Sequence, residues 1–406
     1  MEDEEVLPRP GIWRAWLEAP GGELPFGLEI ERNEGRWSAT IVNGSERLPY
    51  HDLDVRDGGF LLHLDPYDSW IDATVMDDGA RMLGTWTRKR GTGPRTEMIF
   101  RASFGRTDRF TQQAAKKSVN HQPIEGATAA EIPSAAGRWA VDFDSSDALS
   151  VGIFETTRNG GLSGTFLTTL GDYRFLEGRQ IGKQIFLSCF DGAHAFLFRA
   201  EFESDGSLRG DFWSRDSWHE TWTATPDNKA QLADDFALTE YRSDVSLGSL
   251  SFPDLDGVER ALDDPAFRGR GRILVIFGSW CPNCGDSTDA MVRFHELYAA
   301  KGLSILGLAF EFEDKAERMR AVVQKYVDKK NVRYPVLIAG LADKAKASQA
   351  FPVLDRVRAY PTTVFLNADN TVRAVHTGFS GPATGQRHQR LMERFEDLIE
   401  AMLAGE

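Results

Sequence analysis

Cysteine is scarce in this chain: 3 of 406 residues, too few for a disulfide framework. Basic charge is also in deficit. Lys and Arg total 47 against 61 Asp and Glu, a formal net charge of −14. That balance argues against a phosphate-binding surface of the kind nucleic acids require, and equally against adhesion to an anionic membrane. Long apolar runs are missing. The most apolar stretch, Ile273-Leu274-Val275-Ile276-Phe277, is far short of a transmembrane segment. The N-terminus, Met-Glu-Asp-Glu-Glu, has neither a basic n-region nor an apolar h-region, so no signal peptide is visible. Either the protein stays in the cytoplasm, or a leader has been removed or missed. One C-x-x-C supplies only two ligands, too few for a structural zinc site unless histidines join, and no metal or separate cofactor is expected.

What is present is ordinary globular composition, 41% hydrophobic and 27% charged. At roughly 150 residues per domain, the length suggests two or three domains. The 38 glycines, 26 phenylalanines and 10 tryptophans favour turns and β-structure. An internal repeat organises the first half. Gly11-Ile12-Trp13 returns as Gly137-Arg138-Trp139. Gly27, Gly35, Ser38, Thr40 and Leu62 return as Gly152, Gly160, Ser163, Thr165 and Leu187. Asp78-Gly79 returns as Asp205-Gly206, and Gly84 as Gly210. The near-constant offset defines two copies of one unit, residues 10–105 and 136–226, joined by a polar, Ala-rich linker over 106–135.

Each copy reads as antiparallel β. Turn signals at Asn33-Glu34-Gly35, Asn43-Gly44, Asp57-Gly58-Gly59 and Asp78-Gly79 bound short strands in the first copy. Arg158-Asn159-Gly160-Gly161 and Asp205-Gly206 do so in the second. A barrel or a sandwich is expected, as two separate structures or as one pooled barrel. Trp13, Trp37, Trp86, Trp139, Trp213, Trp218 and Trp222 are expected in the cores, and Cys189 is expected as a small core residue on a strand.

After a connector over 227–245 the periodicity changes. Residues 272–277 and 303–310 read as buried strands. Ala290, Met291, Phe294, Leu297 and Tyr298 have helical spacing, and 314–329 is a charged helix. Residues 362–366 and 372–376 are paired strands around an Ala-Asp-Asn turn. Leu391, Met392, Phe395, Leu398, Ile399, Met402 and Leu403 mark an amphipathic closing helix. This order implies an α/β domain with a mixed sheet over 246–406.

The chemistry is expected at Phe277-Gly278-Ser279-Trp280-Cys281-Pro282-Asn283-Cys284. A buried strand ends in a Gly-Ser turn and a helix starts at once. Helix-end N–H groups stabilise a thiolate at Cys281. The i, i+3 spacing brings Cys284 to the same face, within reach of a disulfide. Pro282 suits the first helical turn, where its missing N–H has no helical partner. Tyr360-Pro361-Thr362-Thr363 places a proline at a strand entrance, where a cis bond would turn the preceding carbonyl outward.

Residues 246–406 resemble the TlpA-like thiol:disulfide oxidoreductases of the thioredoxin superfamily. The resemblance rests on Phe252-Pro253-Asp254-Leu255-Asp256-Gly257, Trp280-Cys281-Pro282-Asn283-Cys284, Leu308-Ala309-Phe310-Glu311, Tyr360-Pro361-Thr362-Thr363 and the run from Gly378 to Gly385. It covers about 160 residues. It implies a thioredoxin fold, Cys281 as attacking thiol, Cys284 as resolving thiol, and Pro361 as a cis-proline facing them. Trp280, Pro282, Asn283 and Tyr360 form the expected substrate groove. The resemblance also implies protein thiol and disulfide substrates, an upstream electron donor, a redox-active Cys281–Cys284 disulfide in place of a cofactor, and a home in the periplasm or cell envelope.

Two positions depart from the family's pattern. Val275 stands where many thioredoxins bury an Asp, and Ser287 stands where the family often has Glu. Glu311, at a strand C-terminus, is therefore the expected proton acceptor for Cys284, and Asp286 is expected as a first-turn helix charge. Gly278 occupies the place of the Thr that a peroxiredoxin-type peroxidase wants. A competing reading makes the duplicated β region a binding module for a partner or apolar ligand, with the redox domain ancillary.

Overall fold

The computed structural model describes residues 6–110 and 132–405. Two compact units account for the chain. The first comprises Met1–Lys89, Pro94–Leu167 and Tyr173–Gln231, and the second Arg90–Gly93, Thr168–Asp172 and Leu232–Glu406. Of the connection read over 106–135, residues 111–131 lie outside the described residues.

In the first unit every expected turn separates two strands. The first copy forms β1 (Gly11–Ala19), β2 (Gly22–Asn33), β3 (Arg36–Asn43), β4 (Glu46–Tyr50), β5 (Leu53–Arg56), β6 (Gly59–His63), β7 (Ser69–Met76), β8 (Arg81–Arg88) and β9 (Thr96–Phe104). They make one antiparallel sheet in the order β4-β3-β2-β1-β9-β8-β7-β6-β5. The second copy repeats the succession: β10 (Gly137–Phe143), β11 (Ser150–Thr156), β12 (Leu162–Thr168), β13 (Gly171–Asp172, whose two residues count with the second unit), β14 (Leu176–Ile181), β15 (Gln184–Phe190), β16 (Ala195–Phe202), β17 (Leu208–Ser214) and β18 (Trp218–Pro226). Here the pairing runs from β10 through β11, β12, β14 and onward to β18, which returns to β10 and closes a barrel. The strands are therefore not pooled: each copy pairs within its own sheet.

The alternation that suggested strands has the expected physical meaning. Along β7, Ser69, Ile71, Ala73 and Val75 are buried while the residues between them face outward, as a two-residue period demands. The repeated tryptophans occupy equivalent places. The indole of Trp13 donates to the Arg9 carbonyl at 2.9 Å, and that of Trp139 to the Ala135 carbonyl at 3.0 Å. Trp86 and Trp222 are likewise buried, but Trp37 and Trp213 are only partly so, and Trp218 is 49% exposed. The core expectation fails for Trp218 because it opens β18, where the ladder begins and no layer covers it. Phe143, Phe166, Phe198, Phe212 and Trp222 pack ring on ring inside the second copy, and Cys189 is fully buried on β15.

The second unit begins with the short hairpin β19 (Ser251–Pro253) and β20 (Glu259–Ala261). Then follow β21 (Gly271–Phe277), α1 (Pro282–Tyr298), β22 (Leu303–Glu311), α2 (Ala316–Lys329), β23 (Val336–Leu341), α3 (Lys344–Ala350), β24 (Thr362–Asn367), β25 (Val372–Thr377) and α4 (Gln386–Ala404). The mixed sheet runs β23-β22-β21-β24-β25. β22 pairs in parallel with both β21 and β23, while β24 is antiparallel to β21 and β25. All seven residues of β21 are buried, which explains its unbroken apolar run. All seven apolar positions expected on the closing helix are buried on α4. On α1 the expected face is buried except Leu297, which is 48% exposed. The chain is thus a duplicated antiparallel β region followed by a thioredoxin-like α/β domain. Among the described residues no helix is long and apolar enough to cross a membrane.

Candidate active site

β21 delivers the chain to the C-terminal edge of the sheet, and Gly278-Ser279-Trp280 turns it into α1. Cys281 is the N-cap residue: it is extended, and its sulfur accepts the Cys284 N–H at 3.3 Å. Pro282 opens the first turn, as its sequence position suggested. Helix-end donors aimed at a sulfur are the setting in which thiolates are held. Both cysteines are free thiols. Cys281 is 8% exposed and Cys284 is not exposed at all. Burial pushes the Cys284 thiol well above its ordinary range, and the neighbouring Cys281 and Glu311 push the same way.

The facing element is β24. The Tyr360–Pro361 peptide is cis, and the Cys281 thiol donates to the Tyr360 carbonyl at 3.5 Å. The Pro361 carbonyl accepts the Gly378 N–H at 2.9 Å, which ties the proline to the segment following β25. Trp280 donates its indole N–H to the Phe310 carbonyl at 3.0 Å, and its ring meets Phe312 at 4.6 Å and Tyr360 at 5.4 Å. Asn283 donates to the Asp172 carbonyl at 3.5 Å.

Glu311 ends β22, one strand away from β21. It is 3% exposed. Its two carboxylate oxygens accept the Ser279 N–H and the Ser279 hydroxyl, each at 2.8 Å. Burial pushes its acid up to about 7, against the lowering effect of those two bonds. Desolvation wins because a carboxylate loses most of its hydration there and recovers only two donors. Val275 is buried in β21, and Ser287 is buried on α1 with no acid of its own. Asp286 is not in the first turn of α1, which contains no acidic residue. The turn begins at Pro282, so Asp286 falls just beyond it, toward Gly381.

Sequence reasoning passed over two contributors. Ser279 was visible only as part of a turn, yet it holds Glu311 with both its donors. The Tyr326 hydroxyl on α2 shares a hydrogen bond with the Thr288 hydroxyl at 2.7 Å and donates to the Cys284 carbonyl at 3.3 Å, a contact that only the packing of α2 on α1 creates. His376 lies in β25, fully buried, with its ring beside Phe236 and Phe395 and its Nε2 3.4 Å from Asp235. Among the described residues no three His, Cys, Asp or Glu side chains converge as a metal site.

Residues 231–375 match the AhpC/TSA family. Curated relatives agree. The chain is 26% identical over 148 residues to the thiol-disulfide oxidoreductase ResA of Halalkalibacterium halodurans, which spans 36% of this chain and 70% of that one. It is 27% identical over 128 residues to the thioredoxin-like protein YneN of Bacillus subtilis, which spans 32% and 67%. A solved thiol:disulfide interchange protein of the thioredoxin family from Chlorobium tepidum overlays with a TM-score of 0.29 at 20% identity, over 38% of this chain and 92% of its own. The C-terminal part of the chain is similar to thiol-disulfide oxidoreductases and thioredoxin-like proteins. The matches lie in that part only. Within that part, the strand-turn-helix carrying Cys281 and the cis-proline on β24 meet at one edge of the sheet.

Proposed function

We propose that the protein is a protein-disulfide reductase working by dithiol–disulfide exchange. The observation that carries this reading is the sulfur of Cys281 capping α1 and facing the Tyr360–Pro361 cis peptide. In the first step the Cys281 thiolate attacks one sulfur of a substrate disulfide. A Cys281–substrate disulfide forms, and the other substrate sulfur leaves as a thiolate. In the second step Cys284 loses its proton and attacks the Cys281 sulfur, expelling the second substrate thiolate. The substrate has gained two electrons and the enzyme holds a Cys281–Cys284 disulfide. A dithiol donor returns the enzyme to the reduced state.

Glu311 is the base for the second step. It is buried and its acid is pushed up to about 7, close to the pH at which a general base works best. Trp280, Pro282, Asn283 and Tyr360 frame the entering substrate, with Pro361 turning the Tyr360 carbonyl toward the attacking sulfur. The reducing direction is favoured by the capping donor on Cys281, which stabilises the reduced enzyme. The test uses the full chain with a short peptide carrying one mixed disulfide as substrate and dithiothreitol as donor. Cys281→Ser should abolish turnover, and Cys284→Ser should accumulate the mixed disulfide. Turnover by Cys281→Ser would sink the assignment.

The binding-module reading keeps one observation in its favour. A cavity of about 190 Å³ in the first unit is lined by Trp13, Arg14, Phe26, Arg109 and Glu177 among others.

A further inference from the structure

Two short stretches remote from the motif in sequence, Arg90–Gly93 and Thr168–Asp172, belong to the second unit. They meet the two ends of the active-site turn. The Arg90 guanidinium lies 4.8 Å from the centre of the Trp280 ring and 4.2 Å from that of Phe312, within the range of cation–π stacking. Next to it Gly91 has φ +56, and a Cβ there would stand 2.4 Å from the Phe312 carbonyl oxygen. At the other end Gly171 has φ +152, and a Cβ there would stand 2.0 Å from the Asn283 amide nitrogen. The Asp172 carboxylate accepts the Gly381 N–H at 2.7 Å. A Cβ at Gly378 would stand 3.0 Å from the Leu170 carbonyl, and Gly378 is the residue bonded to Pro361.

Both stretches thus approach the turn through a glycine, more closely than any side chain at that position would allow. Cys281 and Tyr360 are each 8% exposed, while Leu170 stands at the rim, 46% exposed.

We propose that residues 90–93 and 168–172 are part of the substrate site and restrict it to extended polypeptide segments bearing a disulfide. The inference rests on the disulfide-exchange reading above. Arg90 holds the Trp280 side and Leu170 forms the rim next to the cis-proline. A disulfide set in the face of a folded domain meets these walls before its sulfur meets Cys281. One in an extended segment passes between them. Discrimination of this kind works by clash against the wrong partner, and Arg90 and Leu170 are its specificity-determining residues.

The experiment compares kcat/KM of the full-length protein for an extended peptide carrying one mixed disulfide and for folded insulin. Arg90→Ala, Leu170→Ala and the double variant are measured beside the wild type. The ratio of insulin to peptide turnover should rise about tenfold in the double variant and less in each single one. A fold that fails loses both activities, so a selective gain cannot come from misfolding. Leu170→Ala changes an exposed side chain and decides the matter if the Arg90 variants melt early. An unchanged ratio in folded variants overturns the proposal. Wild-type turnover of hydroxyethyl disulfide separates the two readings: none at all defeats disulfide exchange itself, whereas turnover with an unchanged ratio defeats only the restriction.

Discussion

A carboxylic acid buried beside a thiol pair can be followed by pH alone. The ordinary value for Glu311 is 4.5, and in the fold burial pushes it up to about 7. The native state therefore keeps a proton that the unfolded chain gives up between those values. The resulting stability is complete below about pH 4.5 and is lost as pH rises through 7, a change of about 3 kcal/mol. Glu311→Gln removes that dependence. Urea denaturation at pH 4.5 and pH 8 should show the variant gaining on the wild type by roughly that amount at the higher pH; parallel losses at both would contradict a buried, proton-holding Glu311. The same variant should slow resolution of a trapped mixed disulfide by about 100-fold, with the first attack by Cys281 nearly intact. Its resolution rate should also lose the rise through pH 7. Equal resolution rates would return attention to Asp286 or water. Cys281 and Cys284 differ in access as well. Alkylation of the reduced protein at neutral pH should label Cys281 first, and labelling of Cys284 first would reverse their roles.

Strands and helices carry the next scale. The apolar runs of β21 and α4 were readable because burial on both faces, or on one helical stripe, leaves an unmistakable pattern. β23 and α3 left little trace. β23 is an edge strand of six residues, and α3 buries only Ala347. The repeat's tryptophans show how far residue type reaches. Trp13 and Trp218 have the same apolar area to offer, but only Trp13 has layers around it. Trp13→Ala should cost about 3–5 kcal/mol through cavity formation and loss of the bond to Arg9. Trp218→Ala should cost well under 1 kcal/mol, as surface changes usually do. Thermal melts of the two full-length variants compare them directly, and equal shifts would mean that Trp218 is packed.

At the scale of the whole chain, two units have separate interiors. One apolar cluster runs from Leu247 to Leu403 entirely within the second unit, and two others lie among Trp13–Leu197 and Ala135–Ala224 in the first. A segment with its own core folds as a unit. Residues 1–231 expressed alone should therefore unfold cooperatively on heating. A product that binds hydrophobic dye and melts without a transition would show that the cores depend on each other.

Local patterning was enough to locate most of the strands and helices, the duplication and the C-x-x-C at the start of α1. Turn residues, period-two strands and the C-x-x-C at a strand-to-helix junction are all read over short stretches of chain, where neighbours in sequence are neighbours in space. The family resemblance supplied the cis-proline, which composition alone could not. The remainder depends on distant partners. Ser279 meets Glu311 because β21 and β22 lie side by side, and the carboxyl becomes a group of pKa about 7 only because the fold removes its water. Closure of the second copy through β11 and β12, and the arrival of Arg90 and Gly171 beside Trp280 and Asn283, likewise bring together residues whose separation in sequence conceals their contact.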